Sequence, residues 1–293
     1  NSIKQTRVWY LVPIFVAGLL SHWFRALRWK LLLKPLHITP GTTNTTLAVL
    51  IGYLVNLLVP RMGEVAKCTV LAKYEKVPAD KMIGTIVAER TFDVLSLGVI
   101  TVVAFLSQAS IIGHYGAQLF DAVAAKQNLM VAAVFCLLLG VVFLVLVYRK
   151  YKTSKVGKFI KGLSDGVRSI LMMQNRGKFL LYSFLIWLMY WAQVVIGFWS
   201  LPATDHLSGM IALVVLVFGS VGMIATPGGI GAYPILLSQI LLLYDIKLAD
   251  GNAFGWVSWS AQTGIVIILG ILSLIVLPLY NGKRHAQATM DTK

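Results

Sequence analysis

The sequence predicts an all-α polytopic membrane protein, an inverted-topology repeat with two facing broken or re-entrant helical hairpins and about 7–8 transmembrane helices. Three observations carry that expectation. Of 293 residues, 58% are hydrophobic and 13% charged, with mean hydropathy +0.78, so lipid rather than water must solvate most of the chain. Uncharged stretches run over 8–24, 35–60, 94–120, 179–204, 206–244 and 251–282. Several exceed the roughly 20 residues an α-helix needs to cross a hydrocarbon core of about 30 Å. They are continuously apolar instead of alternating in steps of two, which selects helices over a barrel. Finally, a shift of 167 positions lays Gly52 on Gly219 and Pro60 on Pro227 without a gap, and repeats one order of span, hairpin, span.

Spans are expected near 8–27, 83–107, 128–148, 179–201 and 253–279. Residues 44–76 and 209–244 are each interrupted, the first at Pro60-Arg61-Met62-Gly63-Glu64 and the second at Thr226-Pro227-Gly228-Gly229-Ile230-Gly231. Proline removes a donor and clashes with the preceding turn, and glycine permits positive φ, so helices break there. Basic residues flank both ends of the first broken segment (Arg25, Arg28, Lys30 and Lys34; Lys73, Lys76 and Lys81). The chain therefore returns to the side it left, and the segment is a hairpin entered from the basic side. Asp205 and the turn 245–250 mark the opposite side for the second hairpin.

The whole of 1–293 reads as a single membrane domain, with a first half over 1–127 and a second over 128–282. The shift leaves span 128–148 partnered by a position before Asn1, so a further helix is expected there, giving four plus four. Residues 149–178 form a basic loop and 283–293 a tail, both expected to be cytoplasmic by the positive-inside rule. The net charge of +15 follows this sidedness. It flanks spans and no aromatic-rich module accompanies it, which argues against nucleic acid and for anionic lipid as partner. Cys68 and Cys136 lack metal-ligand spacing and read as free core thiols. No soluble catalytic motif occurs and no cofactor is expected.

Six charges stand where lipid would be expected. Arg61, Glu64 and Lys67 follow the first tip at three-residue steps, and share a face if that arm is helical. Glu89, Arg90 and Asp93 fall on one patch of the next span. Each costs roughly 2.5–3.5 kcal/mol at the bilayer centre unless paired or wet. One reading makes them a structural salt-bridge set. The other makes them the lining of a cavity between the two tips, with Arg61 and Arg90 holding phosphate while Glu64, Glu89 and Asp93 orient them or exchange a proton. Free N–H groups starting the arm after each break offer a second anion site. Arg25 and Arg28, with Trp23 and Trp29, fit an interfacial anchor or a headgroup-attracting mouth. Trp187, Trp191, Trp256 and Trp259 are further candidates for the cavity wall.

Together, "RALRWKLLL" (25–33), "VPRMGEVAK" (59–67), "AERTFDVLSL" (88–97) and "TPGGIGAY" (226–233) resemble the lysylphosphatidylglycerol synthase transmembrane-domain family, also called flippase-like. The resemblance spans nearly the whole chain. It implies a prokaryotic cytoplasmic-membrane protein of about eight helices that moves lipids or lipid-linked intermediates between leaflets. It assigns Gly63 and Glu64 to the first tip, Glu89, Arg90 and Asp93 to the charged span, and Pro227, Gly228, Gly229 and Gly231 to the second tip. Members often have an acidic residue shortly after the second tip, where this chain has Pro234. Some members add a soluble aminoacyl-transferase domain; this sequence ends at Lys293 without one. The expectation is a transporter or flippase for an anionic phospholipid or polyprenyl-phosphate-type intermediate, and not an enzyme. The alternatives are a non-catalytic subunit or lipid-modifying enzyme partner in envelope glycolipid synthesis, or a scaffold whose loop 149–178 recruits a protein. A homo-oligomer is left open.

Overall fold

The computed structural model of the chain describes residues 5–108 and 173–290, with side chains as far as Gly282. Among these residues there are eight α-helices and no strand: α1 (Leu11–Leu33), α2 (Thr42–Leu58), α3 (Gly63–Glu75), α4 (Ala79–Ser107), α5 (Arg176–Ser200), α6 (Gly209–Ala225), α7 (Ala232–Leu242) and α8 (Leu248–Met290). Four stretches are long and apolar enough to cross a membrane: Val8–Leu36, Ala79–Ser107, Arg176–Ser200 and Leu248–Gly282. They correspond to four of the five expected spans. Span 128–148, most of loop 149–178 and Cys136 lie outside the described residues. The chain is a polytopic helical membrane protein.

Local chemistry sets the breaks. Val59 and Thr226 each precede a proline, and both are extended at φ −132°, because the proline ring crowds its predecessor out of the helical region. At the second break Gly228, Gly229 and Gly231 adopt φ of 64°, 73° and 75°, as glycine allows. The first break differs from expectation. Its left-handed residue is Arg61, φ 67°, while Gly63 serves close approach: a Cβ there would collide with Gly52 O, and a Cβ on Gly52 would lie 2.7 Å from Gly63 O. Gly219, the repeat counterpart of Gly52, does the same work against the Tyr233 ring at 2.9 Å.

The repeat survives in three dimensions. The 167-position shift carries α2 onto α6 at both bounds, and lays α1 on α5, α3 on α7 and α4 on the first part of α8. Packing is exchanged in step: α4 packs on α6 as α8 packs on α2, and α1 on α2 as α5 on α6. Counterparts α1 and α5 lie side by side and antiparallel. Arg7 N donates to Ser200 O at 2.8 Å at one end, and Arg28 Nη1 to Ser183 Oγ at 3.2 Å at the other. Antiparallel counterparts are what an inverted repeat requires.

Each broken segment returns to the end it came from. Asn44 Nδ2 at the start of α2 donates to Glu75 Oε1 at the close of α3 (2.7 Å), and Asn281 Nδ2 of α8 joins them through Asn44 Oδ1 (2.9 Å). At the opposite end Arg7 pairs with Asp205 at 3.3 Å, and Leu201, Leu207 and Ile246 share one apolar cluster that closes α6 and α7. The hairpins thus enter from opposite ends and meet at their tips, where a Cβ on Gly228 would lie 3.4 Å from Leu57 Cδ2.

Candidate functional site

Acidic residues on α4 face basic residues on α1. Glu89 and Asp93 are one turn apart, as are Arg25 and Arg28, so each helix presents its pair on a single face. Asp93 accepts from Arg25 Nη1 at 2.8 Å and from Arg28 Nη2 at 2.7 Å. Glu89 accepts from Lys67 Nζ at 2.5 Å and lies 3.4 and 3.5 Å from the two guanidinium groups. Two carboxylates therefore bind α1, α3 and α4 into one block. Arg28 is 0% exposed, Glu89 3%, Arg25 6% and Lys67 7%. Burial of that order removes several kcal/mol of hydration per ion, so each charge persists only with its partners in place. Aromatic rings complete the setting: Lys67 Nζ stands 4.5 Å from the Trp29 ring centroid and the Arg25 guanidinium 5.7 Å from that of Tyr53.

Several expectations need correction. Arg25 and Arg28 are no interfacial anchor; they are buried in the interior with Trp29, whose Nε1 donates to Thr85 Oγ1 at 2.9 Å. Of the two tryptophans, Trp23 does face outward, at 41% exposure. The six mid-chain charges do not form one patch. Arg90 is about 100° round the helix from Glu89 and, although one turn from Asp93 and on the cavity wall with it, stays out of the cluster that Glu89 and Asp93 make with α1 and α3. It reaches across to Glu64 Oε1 instead, in an ion pair half open to its surroundings. Arg61 is exposed at the tip, precedes α3 rather than sharing its face, and is absent from the cavity wall. Nor are the N–H groups after the breaks all free: Gly63 N donates to Asn56 Oδ1 at 2.8 Å and Ala232 N to Ile230 O at 2.9 Å. Glu64 itself occupies the first turn of α3, where it complements the helix dipole and repels a second anion.

A cavity of about 430 Å³ lies between the halves, bounded by α1, α2, α4, α5, α6, α7 and α8. Arg25, Arg90 and Asp93 line it, whereas Arg28, Lys67 and Glu89 stand behind its wall. Pro227, Gly228, Gly229 and Gly231 flank it without lining it; Trp259 Nε1 fastens the tip by donating to Gly228 O at 2.8 Å. Trp187 lines the cavity, Trp191 is engaged with Gly209 O at 2.8 Å, and Trp256 is exposed.

The cavity also holds residues that sequence reasoning missed: His22, Tyr53, Tyr190, Gln193, Tyr233 and Gln262. Tyr190 OH accepts from Arg25 Nη2 at 3.1 Å, and the His22 and Tyr53 rings lie 4.5 Å apart. One signal was available, since Gly18, His22, Arg25 and Arg28 recur at three- and four-residue steps down a single face of an otherwise apolar helix. Four lining residues carry a buried polar atom with no hydrogen-bond partner in the structure: His22 Nδ1, Arg25 Nε, Trp187 Nε1 and Thr263 Oγ1.

Membrane-length helices around an internal cavity that carries a few charged and polar side chains, with two broken hairpins meeting beside it, define a multi-pass membrane protein. The family model described as "Lysylphosphatidylglycerol synthase TM region" matches residues 1–270, and the chain belongs to that family. Membership ties it to lipid-related membrane processes. The chain is also similar to the UPF0104 membrane protein MJ1595 of Methanocaldococcus jannaschii, 31% identical over 87 residues that cover 29% of this chain and 26% of the relative. No solved structure matches the chain.

Proposed function

We propose that the protein moves a lipid with an anionic headgroup, a phospholipid or a polyprenyl-phosphate-type intermediate, across a prokaryotic cytoplasmic membrane. The observation that carries this reading is a surplus of positive charge in the ionic cluster that reaches the cavity through Arg25 and Asp93 and continues behind its wall. Arg25, Arg28 and Lys67 are set against Glu89 and Asp93, and the Glu64–Arg90 pair adds nothing net. A buried cation in excess of its partners is costly unless a ligand supplies the counter-charge. The volume suits a headgroup, while acyl or prenyl chains would remain in lipid.

Hairpin length supports the re-entrant reading. At 1.5 Å per residue, arms of 17, 13, 17 and 11 residues reach about 25, 20, 25 and 17 Å, short of a hydrocarbon core of about 30 Å. The basic end, with Lys34, Lys73, Lys76 and Lys81, would face the cytoplasm, as would loop 149–178, where anionic lipid or a protein partner could bind. Rocking of the two halves would then expose the chamber to each leaflet in turn. The chemistry asked of these residues is binding and release, without catalysis or a cofactor. Glu89 and Asp93 act as positioning groups for the arginines.

The test is a leaflet-exchange assay in proteoliposomes with fluorescent phospholipids and polyprenyl phosphates. Exchange above that of empty liposomes is expected, and an Arg25→Gln variant should lose at least about tenfold in rate, the equivalent of 1.4 kcal/mol. Wild-type rates equal to protein-free controls across the panel would overturn the proposal.

A further inference from the structure

We infer that the chamber opens on one side only, along the seam between α3 and α4. The Glu64–Arg90 ion pair is the latch of that seam, and the matching seam between α7 and α8 stays shut. The inference deepens the proposed function by naming its moving part, and it rests on that reading only for what passes through the opening.

The chamber reaches the exterior along α4. Arg90, Asp93, Val94 and Leu97 line it from one face of that helix. Two of the four are also open to the surroundings, Val94 at 55% and the Arg90 side chain at 51%. In the second copy the counterparts of Arg90 and Val94, Val257 and Ala261, are not on the chamber wall.

Two ion pairs cross from α3 to α4, and they differ in kind. Lys67–Glu89 is buried on both sides, and Glu89 is held further by Arg25 and Arg28. Parting it would strand charges away from water, so it persists. Glu64–Arg90 lies one turn of α3 nearer the tip and rests on a single bond: Arg90 Nη2 donates to Glu64 Oε1, while Glu64 Oε2 is buried without a partner. A guanidinium and a carboxylate that share one bond lack the geometric lock of the paired fork. At membrane depth a half-open arginine calls for water at its side, and in water such a pair holds its helices weakly. The seam therefore pivots at Lys67–Glu89 and parts at Glu64–Arg90, which widens the exit beside Arg90.

The matching seam is closed by touch. A Cβ on Gly255 would lie 2.6 Å from Pro234 Cα, and Trp259 Nε1 bolts the second tip through Gly228 O. Neither contact depends on a charge. Phe92, which takes the place of Trp259 in the first copy, has no side-chain N–H to donate and packs edge-on against Phe179, ring centroids 5.0 Å apart. Where α8 supplies its hairpin with a bolt, α4 supplies a charge latch.

Distances between spin labels, measured by pulsed electron paramagnetic resonance on the whole chain in nanodiscs, test this. The background would carry Cys68→Ala and Cys136→Ala. One label pair, Val65→Cys on α3 with Val99→Cys on α4, spans the first seam, and the other, Ile235→Cys on α7 with Ile268→Cys on α8, spans the second; all four positions are exposed. The first pair is expected to show two separations and the second pair one. Arg90→Gln and Glu64→Gln each cut the latch and should raise the share of the longer separation at least about twofold. Arg90→Lys, which keeps the charge, should restore most of the shorter one. A single separation across α3 and α4 in the wild type would overturn the gate whether or not the variants fold, and so would equal opening across α7 and α8. Unchanged populations in folded Arg90→Gln and Glu64→Gln proteins would overturn the latch. Leaflet exchange by a protein whose α3–α4 seam never parts would sink this inference alone, and a parting seam without exchange would sink the transport reading alone.

Discussion

Where α3 meets α4, opposite charges join the helices; where their counterparts α7 and α8 meet, small residues in direct contact do so. The repeat shift puts Pro234 in the place of Lys67 and Trp256 in that of Glu89. In the second copy a Cβ on Gly255 would lie 2.6 Å from Pro234 Cα, and one on Gly251 2.9 Å from Ser238 Cα. Gly84, which corresponds to Gly251, has open space around it. The remaining site charges are likewise confined to the first copy, since Arg25, Arg28, Glu64, Arg90 and Asp93 map to Ala192, Val195, Gly231, Val257 and Ser260. One frame has been filled twice, by electrostatic pairing and by steric contact. Ion pairs tolerate a looser interface because they act over distance, whereas glycine contacts hold only when backbones touch.

The largest effect should come from breaking the charged interface. Glu89→Ala leaves Arg25, Arg28 and Lys67 facing Asp93 alone, and should destabilise the protein by about 3–5 kcal/mol. That loss would be visible as a collapse of the monodisperse peak on size-exclusion chromatography and a lowered Tm. A wild-type Tm would mean that these pairs do not hold α1, α3 and α4 together. The comparison sharpens with matched substitutions at counterpart glycines. Gly251→Val should cost about 1–3 kcal/mol through overpacking, and Gly84→Val no more than about 0.5 kcal/mol; equal shifts in Tm would erase the distinction between the interfaces. Smallest are the two tips. Gly228→Ala places a side chain at φ 64° and should destabilise by about 1 kcal/mol, whereas Arg61→Gly relieves a left-handed arginine and should stabilise by up to about 1 kcal/mol. Thermal unfolding of both variants checks the opposite signs.

The frame was legible because its determinants are local. Proline acts on its immediate predecessor, so Pro60 and Pro227 marked the breaks, and a fixed offset between matching segments exposed the repeat. Charge partners were not legible in the same way. Spacing shows that Glu89 and Asp93 share a face, but nothing in it says that the opposing face belongs to α1, more than sixty positions earlier. The polar stripe on α1 therefore looked like a membrane-interface anchor until tertiary packing supplied its partners. Gly63 illustrates a further ambiguity: a glycine wanted for positive φ and one wanted for close approach look alike in a sequence. Here Arg61 took the first task and Gly63 the second.

Helices α1 and α5 are riveted near both ends, by Arg7 to Ser200 and by Arg28 to Ser183. Two rods tied near both extremities resist scissoring and would act as the axle about which the halves rock. If the chamber is to face first one leaflet and then the other, the swing has to fall on the arms hung around that axle, and a crosslink along it should leave turnover intact.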